Sequence, residues 1–144
     1  TIGNGVTIHS LTRMNPVLSH HTCLAALSNQ ASIILEDGCG ISGATLVCVN
    51  GIRIGRHTLI GPKVQLLTAL HPFDAAQRRT GLEAGRPITV GDDCWLGGGV
   101  IVCPGVKIGC RCVIGAGSVV THDIPDDSVA AGNPARVIRT ATDE

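Results

Sequence analysis

Between Val90 and Val120 an aliphatic residue returns at every sixth position: Val90, Leu96, Val102, Ile108, Ile114 and Val120. A helix repeats every 3.6 residues and a strand every 2, so neither explains a strict period of six. Gly91, Gly97, Gly109, Gly115 and Thr121 follow five of these aliphatics, and Cys103 follows the sixth. Four positions after an aliphatic comes a second compact residue: Cys94, Val100, Val106, Cys112 or Ser118. The pattern predicts a triangular solenoid with three six-residue faces per coil, aliphatics inward and glycines easing the corners. The same phase holds at Ile54, Ile60 and Leu66, and 24 residues, or four sixes, separate Leu66 from Val90. The register therefore survives whatever lies between.

A chain of 144 residues reads as one domain, 1–144. Hydrophobic residues make up 44% but aromatics only 1%, with Phe73 and Trp95 the sole examples. A narrow β-prism filled by stacked Val, Ile and Leu has no room for rings, so composition and period agree. Formal net charge is zero, and a chain with no basic excess and two aromatics is not built to bind nucleic acid. No apolar run approaches a membrane span and no signal segment opens the chain. It starts at Thr1 rather than Met, which reads as a trimmed start.

The seven cysteines follow the repeat. Cys39, Cys94 and Cys112 fall in the small inward slot, Cys48, Cys103 and Cys110 in neighbouring slots, and Cys23 stands alone. An odd count set by the repeat predicts reduced thiols acting as small hydrophobes, and hence a reducing cytoplasm. Cys110-Arg111-Cys112 is too tight for a CxxC redox or zinc motif.

Taken in order, residues 2–8 read as a first hexapeptide turn. From Leu11 to Gln30 the period lapses, which predicts a loose coil with a loop. Ile33, Leu35, Ile41 and Val47 restore the repeat, and Asn50-Gly51 adds one residue that a turn or bulge can absorb. Residues 67–87 break the pattern with a polar, turn-rich stretch containing His71-Pro72 and Gly85-Arg86-Pro87. A solenoid that ejects a loop while keeping register does so on its binding face. Asp123-Ile124-Pro125-Asp126-Asp127 is expected to end the coils. Residues 130–139 are expected to form a strand and turn folded over the last coil, with fraying beyond Arg139.

The hexapeptide repeat, the loop opening with His71-Pro72, the run from Val90 through Trp95 to Gly97, and the ending Ala131-Gly132-Asn133-Pro134-Ala135-Arg136 together resemble the hexapeptide-repeat O-acetyltransferases. Maltose and galactoside acetyltransferases and the bacterial exopolysaccharide-type enzymes belong to this group. The likeness covers about residues 31–139 closely. It implies an all-β, left-handed parallel β-helix with an ejected loop at about 67–87 and a short C-terminal extension, an exception to the right-handed crossover rule. It also implies a homotrimer with active sites between subunits, acetyl-CoA as co-substrate, no metal, and a sugar or related small acceptor.

Acetyl transfer to a hydroxyl needs a base for the alcohol proton and donors for the oxyanion that forms. Histidine suits the first task near neutral pH, and by the resemblance His71 is the base in a direct, ternary-complex transfer. The resemblance also places the Gly98 N–H near the thioester carbonyl and Trp95 along the donor and acceptor channel. It puts Ala116, Thr121 and His122 in the coenzyme groove, and Arg136 and Arg139 against coenzyme A phosphates. Asn15, His20, His21 and Ser42 are the acceptor-site candidates. Ala69 stands where relatives often carry an acid two positions before the histidine, leaving Glu83 as the loop's own candidate to orient His71. The helical N-terminal segment of maltose acetyltransferases is not matched, which favours the exopolysaccharide-type subgroup.

Two other readings compete with this one. An inactive or structural scaffold is compatible with Ala69; an ice-binding array is not, since Thr45, Thr58, Thr89 and Thr121 share no single face. The fold also serves γ-carbonic anhydrases, whose zinc site needs two histidines five apart plus a third, and His9, His20, His21, His57, His71 and His122 supply no such pair.

Overall fold

The sixth-position aliphatics become the inside of a left-handed parallel β-helix with three walls. The computed structural model describes residues 1–9, 21–81 and 83–140. Among these, one wall stacks Ser32–Leu35, Gly51–Ile54, Ile88–Val90 and Lys107–Ile108 in parallel register. The second stacks Thr7–His9, Gly40–Ser42, Leu59–Ile60, Trp95–Leu96, Val113–Ile114 and Ser128–Gly132. The third stacks Cys23–Ala26, Thr45–Cys48, Gln65–Leu67, Ile101–Val102 and Val119–Val120.

In-register stacking turns the repeat into three interior ladders. Leu35, Ile54, Val90, Ile108 and Ile124 run up the first wall; Ile41, Ile60, Leu96, Ile114 and Ala130 the second; Leu46, Leu66, Val102 and Val120 the third. All are buried. The small slot between the first and second walls carries Cys39, Thr58, Cys94, Cys112 and Ser128, also buried. Here the buried Thr58 hydroxyl donates to Gly91 O at 2.8 Å and accepts from Cys94 N–H at 3.0 Å, so no polar group is stranded. The first coil has ladder neighbours on one side only, and Ile2, Ile8 and Leu24 remain exposed.

Three sequence expectations change in detail. Leu46 rather than Val47 points inward: the coil is one residue shorter before it and longer after it, at Val49-Asn50. Cys23–Ala26, inside the stretch expected to be a loose coil, is a regular strand paired with Thr45–Cys48. Asp123–Asp127 does not end the coils either. Ile124 bridges to Ile108, Gly109 N–H donates to Ile124 O at 2.8 Å, and Ser128–Gly132 joins the second wall. The last coil is two residues short of the period and therefore escapes a strict period-six reading. After it, Ala135–Thr140 turns back antiparallel along Ser128–Gly132, as expected for the C-terminal extension.

The glycines after the aliphatics are required by proximity. A Cβ on Gly91 would lie 2.7 Å from Cys110 N, and one on Gly97 would lie 2.8 Å from Ala116 N, so coil touches coil at those corners. Positive φ falls instead at turn residues such as His57, Asp93 and Arg111, near 55°. Arg111 pairs with Asp127 across successive coils through two hydrogen bonds, 2.5 and 2.8 Å long, which hold the Asp127 carboxyl below the usual carboxylate range.

All seven cysteines are free thiols, with Cys39, Cys48, Cys94 and Cys112 buried and Cys23 exposed. Burial pushes the Cys39 and Cys48 thiols up, and a hydrogen bond with Cys112 together with burial does the same for Cys94. We expect an aromatic disulfide reagent to label Cys23 in the native protein and Cys39, Cys48, Cys94 and Cys112 only on unfolding; rapid native labelling of those four would contradict this packing. Gly91→Val should lower stability by about 1–3 kcal/mol in urea denaturation, since two coils must part to admit the side chain.

Candidate functional site

The ejected loop is rooted where the third wall turns into the first. Ala69–Leu70 pairs antiparallel with Glu83–Ala84, closing a short hairpin stem. Below it, the buried Thr68 Oγ1 accepts from Val49 N–H at 3.1 Å, and Gly85 N–H donates to Thr68 O at 2.8 Å. Asn50 closes the clamp: its Nδ2 donates to Gly85 O, while its Oδ1 accepts from Gly51 N–H at 2.7 Å. Val49 and Asn50, where the coil is long, thus hold the outgoing leg at Thr68 and the returning leg at Gly85 respectively. By count alone the extra residue is slack that a turn can absorb; the one-residue excess is the sequence signal of its role.

Beyond the stem, His71 is exposed, and among the described residues nothing hydrogen bonds to it. Glu83 pairs with Leu70, so its side chain leaves on the Leu70 face of the hairpin and makes no bond to His71. The loop is braced by its own groups. Arg78 donates to Pro72 O at 3.2 Å and Phe73 O at 2.6 Å, and Asp74 Oδ1 accepts from Ala76 and Gln77 N–H. Phe73 is 96% exposed at the tip.

A concavity of about 520 Å³ lies along the second wall, with Trp95, Leu59, Ser42, Thr7 and His9 in its lining. Trp95 is 55% exposed because its strand position alternates with inward Leu96. His9 pairs with Ser42 in register. Thr22 Oγ1 donates to His9 O at 2.8 Å and accepts from Gly43 N–H at 3.0 Å, bringing the residue after His21 to this end of the groove. At the adjoining corner Gly98 and Ala116 occupy equivalent turn positions on successive coils. Their neighbours bond coil to coil, Gly99 N–H to Pro62 O and Gly117 N–H to Gly98 O, while the N–H groups of Gly98 and Ala116 have no acceptor among the described residues.

The remaining coenzyme-groove candidates gather at the C-terminal end. His122 and Arg136 line one groove of about 340 Å³, and Thr121 and His122 line a neighbouring one of about 280 Å³. Thr121 Oγ1 and His122 Nδ1 are 2.9 Å apart. Arg136 and Arg139 lie on the edge strand, paired with Ala131 and Val129. The structure therefore collects Trp95 with Ser42, Gly98 with Ala116, and Thr121 with His122 and Arg136, and it sets His71 at a different corner from Trp95. Asn15 and His20 lie outside the described residues. Among the described residues no three His, Cys, Asp or Glu side chains converge as a metal site, and no helix is long and apolar enough to cross a membrane.

Comparison with known proteins gives this arrangement a family. Residues 87–122 match the model described as "Hexapeptide repeat of succinyl-transferase". The galactoside O-acetyltransferase of Lactococcus lactis is 46% identical over 99 residues, covering 69% of this chain and 48% of that protein. Among solved structures, a maltose O-acetyltransferase from Clostridium difficile is 36% identical with a TM-score of 0.81, covering 97% of this chain and 68% of its own. A hexapeptide-repeat acetyltransferase from Vibrio cholerae, solved with acetyl coenzyme A, is 32% identical with a TM-score of 0.67, covering 89% and 74%. The chain belongs to the hexapeptide-repeat acetyltransferase family. It spans about half the length of the curated relatives it matches.

The clamp predicts how the loop opens. Replacing Asn50 with Ala removes its one hydrogen bond to the loop, that to Gly85 O, worth about 1 kcal/mol, so tryptic cleavage at Arg78 and Arg79 should accelerate about 5-fold. An unchanged cleavage rate would mean that the loop root is held without Asn50.

Proposed function

We propose that this chain is an acetyl-CoA-dependent O-acetyltransferase acting on a hydroxyl of a sugar or related small acceptor. The observation that carries the reading is the pair of unbonded N–H groups on Gly98 and Ala116, one coil apart and beside the groove that holds Trp95. Backbone donors fixed by a rigid scaffold and left without partners suit an oxyanion that forms only during transfer. In the coil below, the equivalent turn position is Pro62, which has no N–H to offer, so the free donors at this corner start at the level of Gly98.

In this reading His71 takes the acceptor's proton as its oxygen attacks the thioester carbonyl, with no covalent enzyme intermediate. Trp95 walls the channel, Ala116, Thr121 and His122 line the coenzyme groove, and Arg136 and Arg139 meet its phosphates. His21 and Ser42 belong to the acceptor end, as do Asn15 and His20. Because His71 and Trp95 sit at different corners of one chain, the site is completed between two copies, and a homotrimer with three such sites satisfies that geometry. Residues 1–144 act as one acyltransferase domain, and the free thiols fit a cytoplasmic setting.

His71→Ala should leave the assembly folded, as judged by size-exclusion chromatography with light scattering, and lower acetyl transfer by about 100-fold or more. Unchanged turnover would remove the base assignment and favour the scaffold reading. The acceptor is found by following free thiol release from acetyl-CoA across sugars, nucleotide sugars, lipid-linked sugars, amino acids and antibiotics. Coenzyme A binding without any responding hydroxyl would count against a sugar acceptor.

A further inference from the structure

The corner that roots the loop continues up the prism into a pocket whose arginine makes no ion pair with any described carboxylate. The approximately 280 Å³ pocket is lined by Arg86, Pro104, Gly105, Val106, Thr121, His122 and Asp123. Arg86 is the residue at which the returning leg of the loop rejoins the coils. Its backbone O accepts from Gly105 N–H at 2.9 Å. Its side chain then folds back over the same turn: a Cβ on Gly105 would lie 2.7 Å from Arg86 Nε and 3.0 Å from its Cζ. Gly105 has φ +83°, so glycine is favoured there by conformation as well as by space. The backbone is thus shaped to carry a guanidinium across it.

That guanidinium makes no ion pair with any described carboxylate. The pocket's one acid, Asp123, has Oδ1 accepting from Lys107 N–H at 2.8 Å. Thr121 and His122 line the same pocket as Arg86, a hydroxyl and an imidazole in mutual contact. His122 also opens on the neighbouring groove that holds Arg136. A guanidinium, a hydroxyl and an imidazole in one small pocket, with a second guanidinium beyond, form a donor set for phosphate oxygens.

We propose that Arg86, held across Gly105 and completed by Thr121 and His122, is a phosphate-recognition site for a phosphate or diphosphate group of one of the two substrates. Its link to a substrate rests on the acetyl-transfer reading above; the anion site itself does not. The chemistry has two sources, the phosphates of coenzyme A or the diphosphate of a nucleotide-sugar acceptor, and both leave Arg86 the same task.

The test has one arm independent of turnover and one that assigns the source. Inorganic pyrophosphate titrated into the native protein and followed by NMR should shift the Arg86 and Thr121 signals saturably. Arg86→Ala should abolish the effect and Arg86→Lys retain part of it. No saturable binding to the native protein would overturn the site, whether or not the protein transfers acetyl groups. In kinetics, Arg86→Ala should raise the KM for the phosphorylated substrate about 10-fold with kcat little changed, as expected for losing one charge-assisted contact. A rise for acetyl-CoA that is absent with acetyl-pantetheine, which lacks the nucleotide phosphates, assigns the donor. A rise confined to a nucleotide-sugar acceptor assigns the acceptor. Equal losses with both donors and with an unphosphorylated acceptor would overturn the proposal by showing a general structural effect. If the native protein binds pyrophosphate but transfers no acetyl group to any acceptor, the acetyl-transfer reading fails while the anion site stands.

Discussion

Everything in this molecule depends on coil-to-coil backbone hydrogen bonding in strict register. Stacked coils bring identical slots over one another, so the interior is a set of columns rather than a jigsaw, and each column accepts only residues of nearly constant size. Val, Ile, Leu and Cys satisfy it; an aromatic ring does not. Both aromatics are therefore forced outward, Phe73 to the loop tip and Trp95 onto the second wall. A composition that looks poor in binding groups in fact leaves its two largest apolar side chains available at the surface.

The departures from regularity are where the chain acquires chemistry. A perfect prism would present repeating, self-satisfied turns on every level. Here the coil is short by one residue before Leu46 and long at Asn50, and Val49 and Asn50 hold the two legs of an insertion that leaves the columns undisturbed. At the next corner, the substitution of Gly98 and Ala116 for Pro62 in equivalent turns changes only the presence of an N–H, yet it creates the donor pair. Between the last coils, the shortened turn at Ile124 brings the antiparallel edge strand and its Arg136 back beside His122.

Much of this was legible in the sequence because a period of six has only one structural solution at this size. Val90 through Val120 and the earlier Ile54, Ile60 and Leu66 lie inside as the spacing required, and the cysteine slots follow from the same count. A period cannot register its own exceptions, the places where a coil changes length: the count points to Val47 for the slot that Leu46 fills, and Pro125 suggests an end to coils that continue through Ile124. For the candidate site the sequence offers residue types, His71, Trp95 and the C-terminal arginines, but not their grouping. Which residues share a corner depends on coil number, and the hydrogen bonds of Asn50 and the path of the Arg86 side chain over Gly105 are set by atoms far apart in sequence.

The stack of coils also acts as a ruler. Successive levels at a corner stand about 4.8 Å apart, so the loop root at Gly85, the Gly105 turn and the Thr121-His122 turn are graduations on one scale. Adding or deleting a whole coil between them would leave every local contact intact while shifting the basic pocket by one graduation relative to the loop that carries His71. The length of an extended substrate that such a prism can hold at both ends is thereby written in integers, as a number of coils.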